Sequence, residues 1–154
     1  MKSLHIYVTG LLAFMSCLTS CRNNYYVEND LHGVWQVISI ENLSTDEIIE
    51  PQGTLYYLFQ RTMVSLCYNY LDVPEKMTNV IAHFDVIALD SIGMGGFRVY
   101  TTGEGENINL EVNVSVGSLN KFGIYQDYTK FHVHQSRRTL TLTSDSARIM
   151  LCKY

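Results

Sequence analysis

The sequence predicts an all-β fold, an antiparallel up-and-down barrel of about eight strands, with a β-sandwich as the alternative. Apolar and polar residues alternate with a period of two along most of the chain, which is the pattern of strands that bury one face. Turn-forming residues separate these segments, and a sustained helical stripe is not found after Cys21. Many short strands without helices are typical of a sandwich or a barrel. We favour the barrel because closing a sheet removes its exposed edges.

The predicted strands follow one another to the end of the chain. They cover residues 34–41, 55–60, 63–70, 80–86, 96–101, 108–116, 131–133, 139–143 and 148–153. The clearest is 108–116, where every even position is apolar. Glycines predict turns at 53, 93–96, 103–106 and 117–118, and residues 144–146 predict the turn of a C-terminal hairpin.

A leader precedes the predicted barrel. Lys2 and a short apolar run are followed by Leu18-Thr19-Ser20-Cys21. The run is shorter than the roughly 20 residues that span a bilayer, so a secretory signal is favoured over a transmembrane anchor. The last four residues resemble the bacterial lipobox, which implies a lipid on Cys21; ordinary cleavage with a free cysteine is the alternative. We expect a signal peptide at 1–20, a lipidated tether at 21–30 and a barrel domain at 31–154.

Charge and cysteine content limit the possible partners. Loss of Lys2 lowers the formal net charge from −4 to −5, and Arg137-Arg138 is the longest basic run. Nucleic-acid binding and an electrostatic membrane patch both need concentrated positive charge, so neither is expected. Cys67 and Cys152 remain after maturation, and an exported protein permits a disulfide between them. Two unpaired thiols are the more common outcome.

Two sequence blocks resemble those of lipocalins. Gly33-Val34-Trp35 is similar to the Gly-x-Trp signature, in which the glycine turns the chain into the barrel and the tryptophan closes one end. Asp127-Tyr128, within residues 126–131, resembles the second lipocalin block. The resemblance also implies an arginine stacked on the tryptophan, for which Arg148 is the best candidate and Arg137 or Arg138 are alternatives.

The resemblance is stronger to a compact subgroup. The chain ends within a strand and lacks the long helix of classical lipocalins. It is therefore more similar to the lipocalin-like lipoproteins of gut Bacteroidota, which implies a lipid-anchored protein of the cell envelope. We expect it at the outer membrane, facing the periplasm.

Candidate chemistry is sparse. Tyr57, Phe59, Phe84 and Phe97 are expected to line a ligand cavity, although large side chains also serve simply to fill a barrel. His132 and His134 have a spacing that suits a metal, with His83 or Asp85 as a third ligand. Because Phe131 and Val133 occupy the apolar face, the histidines most simply face solvent, and we expect neither a metal nor a cofactor. A nucleophile elbow is not present, and we do not expect an enzyme.

Two functions follow from these expectations. The first is a membrane-anchored barrel that binds a small apolar molecule, a lipid or a glycan fragment. The second is a non-enzymatic accessory module with a solidly packed barrel. In that case the loops at 44–54 and 72–78 are expected to contact a protein partner in an envelope assembly.

Overall fold

The computed structural model describes residues 30–51, 54–68, 78–102 and 109–154. The predicted signal peptide, Cys21 and all of the tether except Asp30 lie outside these ranges, as do Gly53, the 103–106 turn and most of the 72–78 loop. Within the described ranges, no helix has the length and apolar character needed to cross a membrane.

Ten strands make up most of the fold. They are β1 (Gly33–Asn42), β2 (Glu47–Ile49), β3 (Leu55–Gln60), β4 (Met63–Tyr68), β5 (Thr78–Ala88), β6 (Ser91–Thr102), β7 (Asn109–Asn113), β8 (Tyr128–Ser136), β9 (Thr139–Thr143) and β10 (Ala147–Lys153). Helix α1 (Val116–Leu119) and a 3₁₀ turn (Asn120–Phe122) lie between β7 and β8.

Eight of these strands close into an antiparallel barrel. Their order is β10-β9-β8-β6-β5-β4-β3-β1, and β1 also pairs with β10. Closure places Trp35 opposite Lys153. The prediction of an eight-stranded barrel is therefore confirmed, and the sandwich alternative is wrong.

The strand with the most regular alternation lies outside the barrel. β7 pairs with the second half of β6, whereas β8 pairs with the first half of the same strand edge. The chain after β7 forms a short helix, so the prediction of a strand to residue 116 without a following helix is wrong. Alternation identifies a strand that buries one face, but it does not determine which edge of a sheet that strand joins.

The glycines at 93–96 form part of β6, so the prediction of a turn there is wrong. The turn lies at Leu89-Asp90 instead. Gly93 and Gly95 lie beneath the ring of Tyr128, which covers the space that side chains would take. Gly96 has a φ of 67° at an irregularity in the β5–β6 register, which is a usual place for glycine in a strand.

The core fills the inside of the barrel between two ends. At the closed end lie Trp35 and the turns at 61–62, 89–90 and 137–138; at the mouth lie β2 and the turns at 43–46 and 144–146. Inward-facing residues of every barrel strand contribute to one apolar cluster. Its largest fully buried side chains are Trp35, Tyr57, Phe59, Phe84, Phe122 and Phe131.

Candidate functional site

Trp35 seals the closed end of the barrel. Its side chain is fully buried, and its Nε1 donates a hydrogen bond of 2.7 Å to the carbonyl oxygen of Leu31. Gly33 has a φ of 126°, a backbone conformation that favours glycine. The chain therefore turns into β1 at Gly33 and places Trp35 against the core at the closed end.

The cation near Trp35 is a lysine. Nζ of Lys153 lies 5.3 Å from the Trp35 ring centroid, within the range of a cation–π contact. Arg148, expected to stack on this ring, lies on the outer face, where its Nη1 is 2.7 Å from Oε2 of Glu41. Ile149 and Leu151 are buried, whereas Arg148 and Met150 are exposed, so side-chain alternation along β10 turns Arg148 outward.

Asp127 and Tyr128 lie on a different wall of the barrel from Trp35. Asp127 is exposed at the bend before β8, and Tyr128 is half exposed on the outer face. β9 and β10 separate β8 from β1. The two lipocalin-like blocks are therefore not brought together in one site.

The four aromatic residues expected to bind a ligand form part of the packed core. Tyr57 and Phe59 have no accessible surface, and Phe84 and Phe97 retain 1% and 5%. The Phe59 and Phe84 rings meet edge to face at a centroid distance of 5.3 Å. In this structure the four side chains pack against the rest of the core, and their binding of a ligand stays a prediction.

A short segment, residues 119–124, closes the mouth, and we call it the plug. Leu119, Phe122 and Ile124 are fully buried. The hydroxyl of Tyr57 donates a hydrogen bond to the carbonyl oxygen of Phe122. Burial raises the pKa of the Tyr57 phenol well above its usual value. A buried donor and a backbone acceptor thus satisfy each other inside the barrel.

Gly123 allows the plug to approach the barrel wall closely. Its φ is 77°, and a Cβ atom there would lie 2.9 Å from Cγ1 of Ile149 and 3.0 Å from Cγ2 of Ile40. These isoleucines lie on β10 and β1. The plug therefore bridges from Tyr57 on β3 to the seam where the barrel closes.

Three cavities of the described residues open on the outside of the barrel. The largest, about 920 Å³, is a groove over β3, β4 and β5, and it is bordered by Leu58, Arg61, Met63 and Ile81 among others. A cavity of about 430 Å³ lies at the closed end. A third, about 200 Å³, lies near Tyr125 and Asp145 and is smaller than typical ligand pockets. None of the three is lined by the four core aromatics.

The histidines face solvent, as their alternation with Phe131 and Val133 predicted. Nδ1 of His132 lies 3.4 Å from Oδ2 of Asp90, and both side chains are largely exposed. His83 is on β5, with β6 between it and the histidines of β8. Within the described ranges, no three metal-binding side chains cluster.

Cys67 and Cys152 are unpaired. The strand register places Cys152 beside Gln36, Gln36 beside Tyr56, and Tyr56 beside Cys67. Three steps of about 4.8 Å between strands separate the two cysteines by roughly 14 Å. Because a disulfide needs Cα atoms within about 7 Å, the fold prevents the pairing.

An acidic and apolar tip projects at the mouth. Ile48 is 62% exposed, and Asp46, Glu47 and Glu50 are exposed on both sides of it. In the described part of the chain, β2 pairs with β1 alone. A short strand with one free edge and a prominent isoleucine is a feature that a partner protein can use.

Comparisons with known proteins agree with this architecture. The model of a family described as "Lipocalin-like domain" matches residues 16–154. A lipocalin-like protein from Bacteroides uniformis ATCC 8492 is similar in structure, with a TM-score of 0.55 and 16% identity over 81% of this chain and 99% of that one. An uncharacterized protein from Bacteroides eggerthii DSM 20697 gives a TM-score of 0.57 and 14% identity over 80% and 99%. None of the curated proteins compared with the chain matches it.

Proposed function

Because the chain belongs to the lipocalin-like domain family, we propose that it is a non-enzymatic module of the bacterial cell envelope, held at a membrane by a lipid on Cys21. The lipobox-like sequence before Cys21 supports the anchor. One acyl chain binds a membrane only marginally, but two or more hold a protein stably. The proposed location is the outer membrane, on its periplasmic side.

The proposal of a non-enzymatic role rests on the chemistry of the described residues. Tyr57 has the strongly raised pKa of a buried phenol, but its hydroxyl is engaged with the plug rather than with an open site. His83, His132 and His134 are exposed, and the described ranges contain no cluster of metal ligands. Catalytic groups usually converge in a cleft, and these groups do not.

The filled interior is the observation that favours an accessory module over a ligand carrier. Tyr57 and Phe59 pack without accessible surface, and the plug is bonded to Tyr57 on the mouth side. A drug-sized ligand needs a pocket of about 300 Å³ or more. Such a molecule would enter this barrel only after the plug had left.

We propose that a partner protein binds the acidic and apolar tip at the mouth. Ile48 supplies an apolar anchor, and the neighbouring carboxylates of Asp46, Glu47 and Glu50 favour a partner with basic residues around an apolar pocket. Apolar anchors surrounded by charged rims are characteristic of protein interfaces.

Native mass spectrometry of the mature protein, purified from its own membranes, separates the two functions. We expect the mass of the lipidated chain alone. A reproducible additional mass of several hundred daltons, retained by the wild type and lost in a Tyr57→Trp variant that still folds, would instead support a ligand in the barrel.

The anchor is tested by metabolic labelling with radioactive palmitate in the host bacterium. Cys21→Ala is expected to abolish the label and release the protein or leave it uncleaved. Cys17→Ala is the matched control, because it removes a leader cysteine without removing the proposed attachment site. Membrane retention and labelling of Cys21→Ala would refute the lipobox interpretation.

A further inference from the structure

The barrel separates charge between its two ends. Four basic residues lie at the closed end, on three different turns and strand ends: Arg61, Arg137, Arg138 and Lys153. The acidic residues described there are Asp30, Asp85 and Asp90. The basic residues described at the mouth are Lys121 and Arg148. The acidic residues there include Glu41, Asp46, Glu47, Glu50 and Asp145. Among the described residues, basic side chains thus outnumber acidic ones at the closed end, whereas acidic side chains outnumber basic ones at the mouth.

Backbone contacts hold these cations at the same end of the barrel. The amide nitrogen of Lys153 donates a hydrogen bond of 2.8 Å to the carbonyl oxygen of Arg138. Arg137, Lys153 and Asp30 border one cavity. The amide nitrogen of Arg61 donates to Nε2 of His32 at 3.0 Å, which ties the β3–β4 turn to the residues just before β1.

The chain enters the barrel at this basic end. The carbonyl oxygen of Asp30, the first described residue, accepts a hydrogen bond of 3.1 Å from Nε2 of Gln135. Nine residue steps separate Asp30 from Cys21, and nine extended residues reach at most about 30 Å. A lipid on Cys21 would therefore keep the closed end, rather than the mouth, close to the membrane.

Apolar side chains are exposed at the same end of the barrel, on the β5–β6 turn. Leu89 at the tip of the β5–β6 turn is 57% exposed, and Ile87 is 42% exposed. Basic residues next to exposed apolar side chains are the combination that binds the headgroup region of an anionic bilayer.

We propose that the closed end docks on a bilayer containing anionic phospholipids, and this inference rests on the proposed lipid anchor at Cys21. Arg61, Arg137 and Arg138 contact the headgroups, and Leu89 inserts beside them. The sequence shows only one pair of adjacent basic residues, so an electrostatic membrane patch was not expected; the fold assembles one from distant turns. Docking directs the acidic mouth away from the bilayer, where a partner protein reaches it.

Hydrogen exchange of the mature lipidated protein in vesicles tests the docking. The vesicles contain phosphatidylethanolamine with or without phosphatidylglycerol. We expect slower exchange in the turns at 89–90 and 137–138 only with the anionic lipid, and faster exchange again in 0.5 M salt because salt screens these attractions. Since each basic residue near such a surface contributes about a fivefold factor, Arg137→Gln/Arg138→Gln is expected to lower the docked-to-free ratio about 30-fold.

A control and two readouts separate the possible outcomes. Lys130→Gln/Arg148→Gln removes the same charge from the wall and the mouth and is expected to leave docking unchanged. Equal exchange in both lipids, equal docking of the two double variants, or protection of the mouth would overturn the inference while flotation with the vesicles still supports the anchor. Absence of lipid from the intact mass would overturn the anchor and the docking together.

Discussion

The ring of Tyr128 on β8 lies over Gly93 on β6, where any larger residue would collide with it. A Cβ atom at Gly93 would lie 3.1 Å from Cε2 of Tyr128 and still closer to its hydroxyl group, and a Cβ at Gly95 would lie 2.9 Å from Cδ2. The tyrosine therefore covers a bare stretch of backbone on the outside of the barrel, where glycine would otherwise weaken the strand.

Gly93→Ala is expected to lower the free energy of unfolding by about 1–3 kcal/mol, the usual cost of overpacking, as measured by urea denaturation. Gly117→Ala is the control, because a Cβ there meets nothing within 4 Å. Adding Tyr128→Ala to Gly93→Ala should recover part of the loss, since residues in contact are not additive. If Gly93→Ala lowers the free energy of unfolding equally in the wild type and in Tyr128→Ala, the Tyr128 ring does not cause the destabilisation.

Tyr57→Phe is expected to destabilise the protein by about 1–3 kcal/mol, because it leaves the buried carbonyl of Phe122 without its donor. Amide hydrogen exchange in residues 119–124 should accelerate more than exchange in β9. Tyr56→Phe is the control, since Tyr56 lies on the outer face and is only partly buried. Unchanged amide exchange of the plug in Tyr57→Phe would show that the hydrogen bond from Tyr57 does not hold the plug in place.

The same phenol predicts a pH dependence. Burial raises the pKa of Tyr57 above that of the unfolded chain, which is near 10. Above about pH 10 the unfolded state loses this proton while the folded state keeps it, so stability falls as pH rises. The stability difference between wild type and Tyr57→Phe should therefore shrink between pH 9 and 11. A constant difference over that range would contradict the burial of the phenol.

Gly123→Ala is expected to loosen the plug, because the new methyl group would press on Ile149 and Ile40 and the residue would keep a positive φ. We expect a loss of about 1–3 kcal/mol. If the plug alone keeps the interior dry, an apolar fluorescent probe should bind the variant but not the wild type. Binding of the probe to wild type with equal affinity would indicate a cavity that is already open.

Lys153→Met should change the emission of Trp35, the single tryptophan, because it removes the cation 5.3 Å from the ring. The expected loss of stability is about 0.5–1 kcal/mol. Arg148→Met should leave the emission unchanged and cost no more than about 1 kcal/mol, as is usual for exposed ion pairs. A change of emission in Arg148→Met but not in Lys153→Met would indicate that Arg148 is the residue that contacts Trp35.

The thiols offer a simple mass measurement. Alkylation of the mature protein under denaturing, non-reducing conditions should modify two cysteines, Cys67 and Cys152, if Cys21 carries its lipid. Labelling of three would indicate an unmodified Cys21. Labelling of none would indicate the disulfide that the register excludes.

Local sequence patterns predicted most of the barrel strands. The alternation in β1, β3, β9 and β10 reflects one buried and one exposed face, and the observed bounds differ by at most one residue from the predicted ones. The glycines of β6 were mistaken for a turn because their cover, Tyr128, is more than thirty residues away in the chain.

The candidate site was less predictable than the strands. Aromatic residues at inward positions suit a cavity wall and a filled core equally well, and the difference depends on the plug, whose apolar residues Leu119, Phe122 and Ile124 show no strand pattern. The basic end was missed for a related reason, since Arg61 and Lys153 are far from Arg137-Arg138 in sequence. Spacing along the chain reports a face of one strand, not the meeting of several turns.

The pairing of β1 with β10 has a consequence for synthesis. β1, the first strand of the barrel, can pair with β10 only when Ala147–Lys153 has been synthesised. A chain that stopped at Thr143 would leave β1 and β9 with unpaired edges, which promote aggregation. Pairings between such distant segments also form slowly. The fold thus makes the synthesis of β10 a condition for a closed barrel.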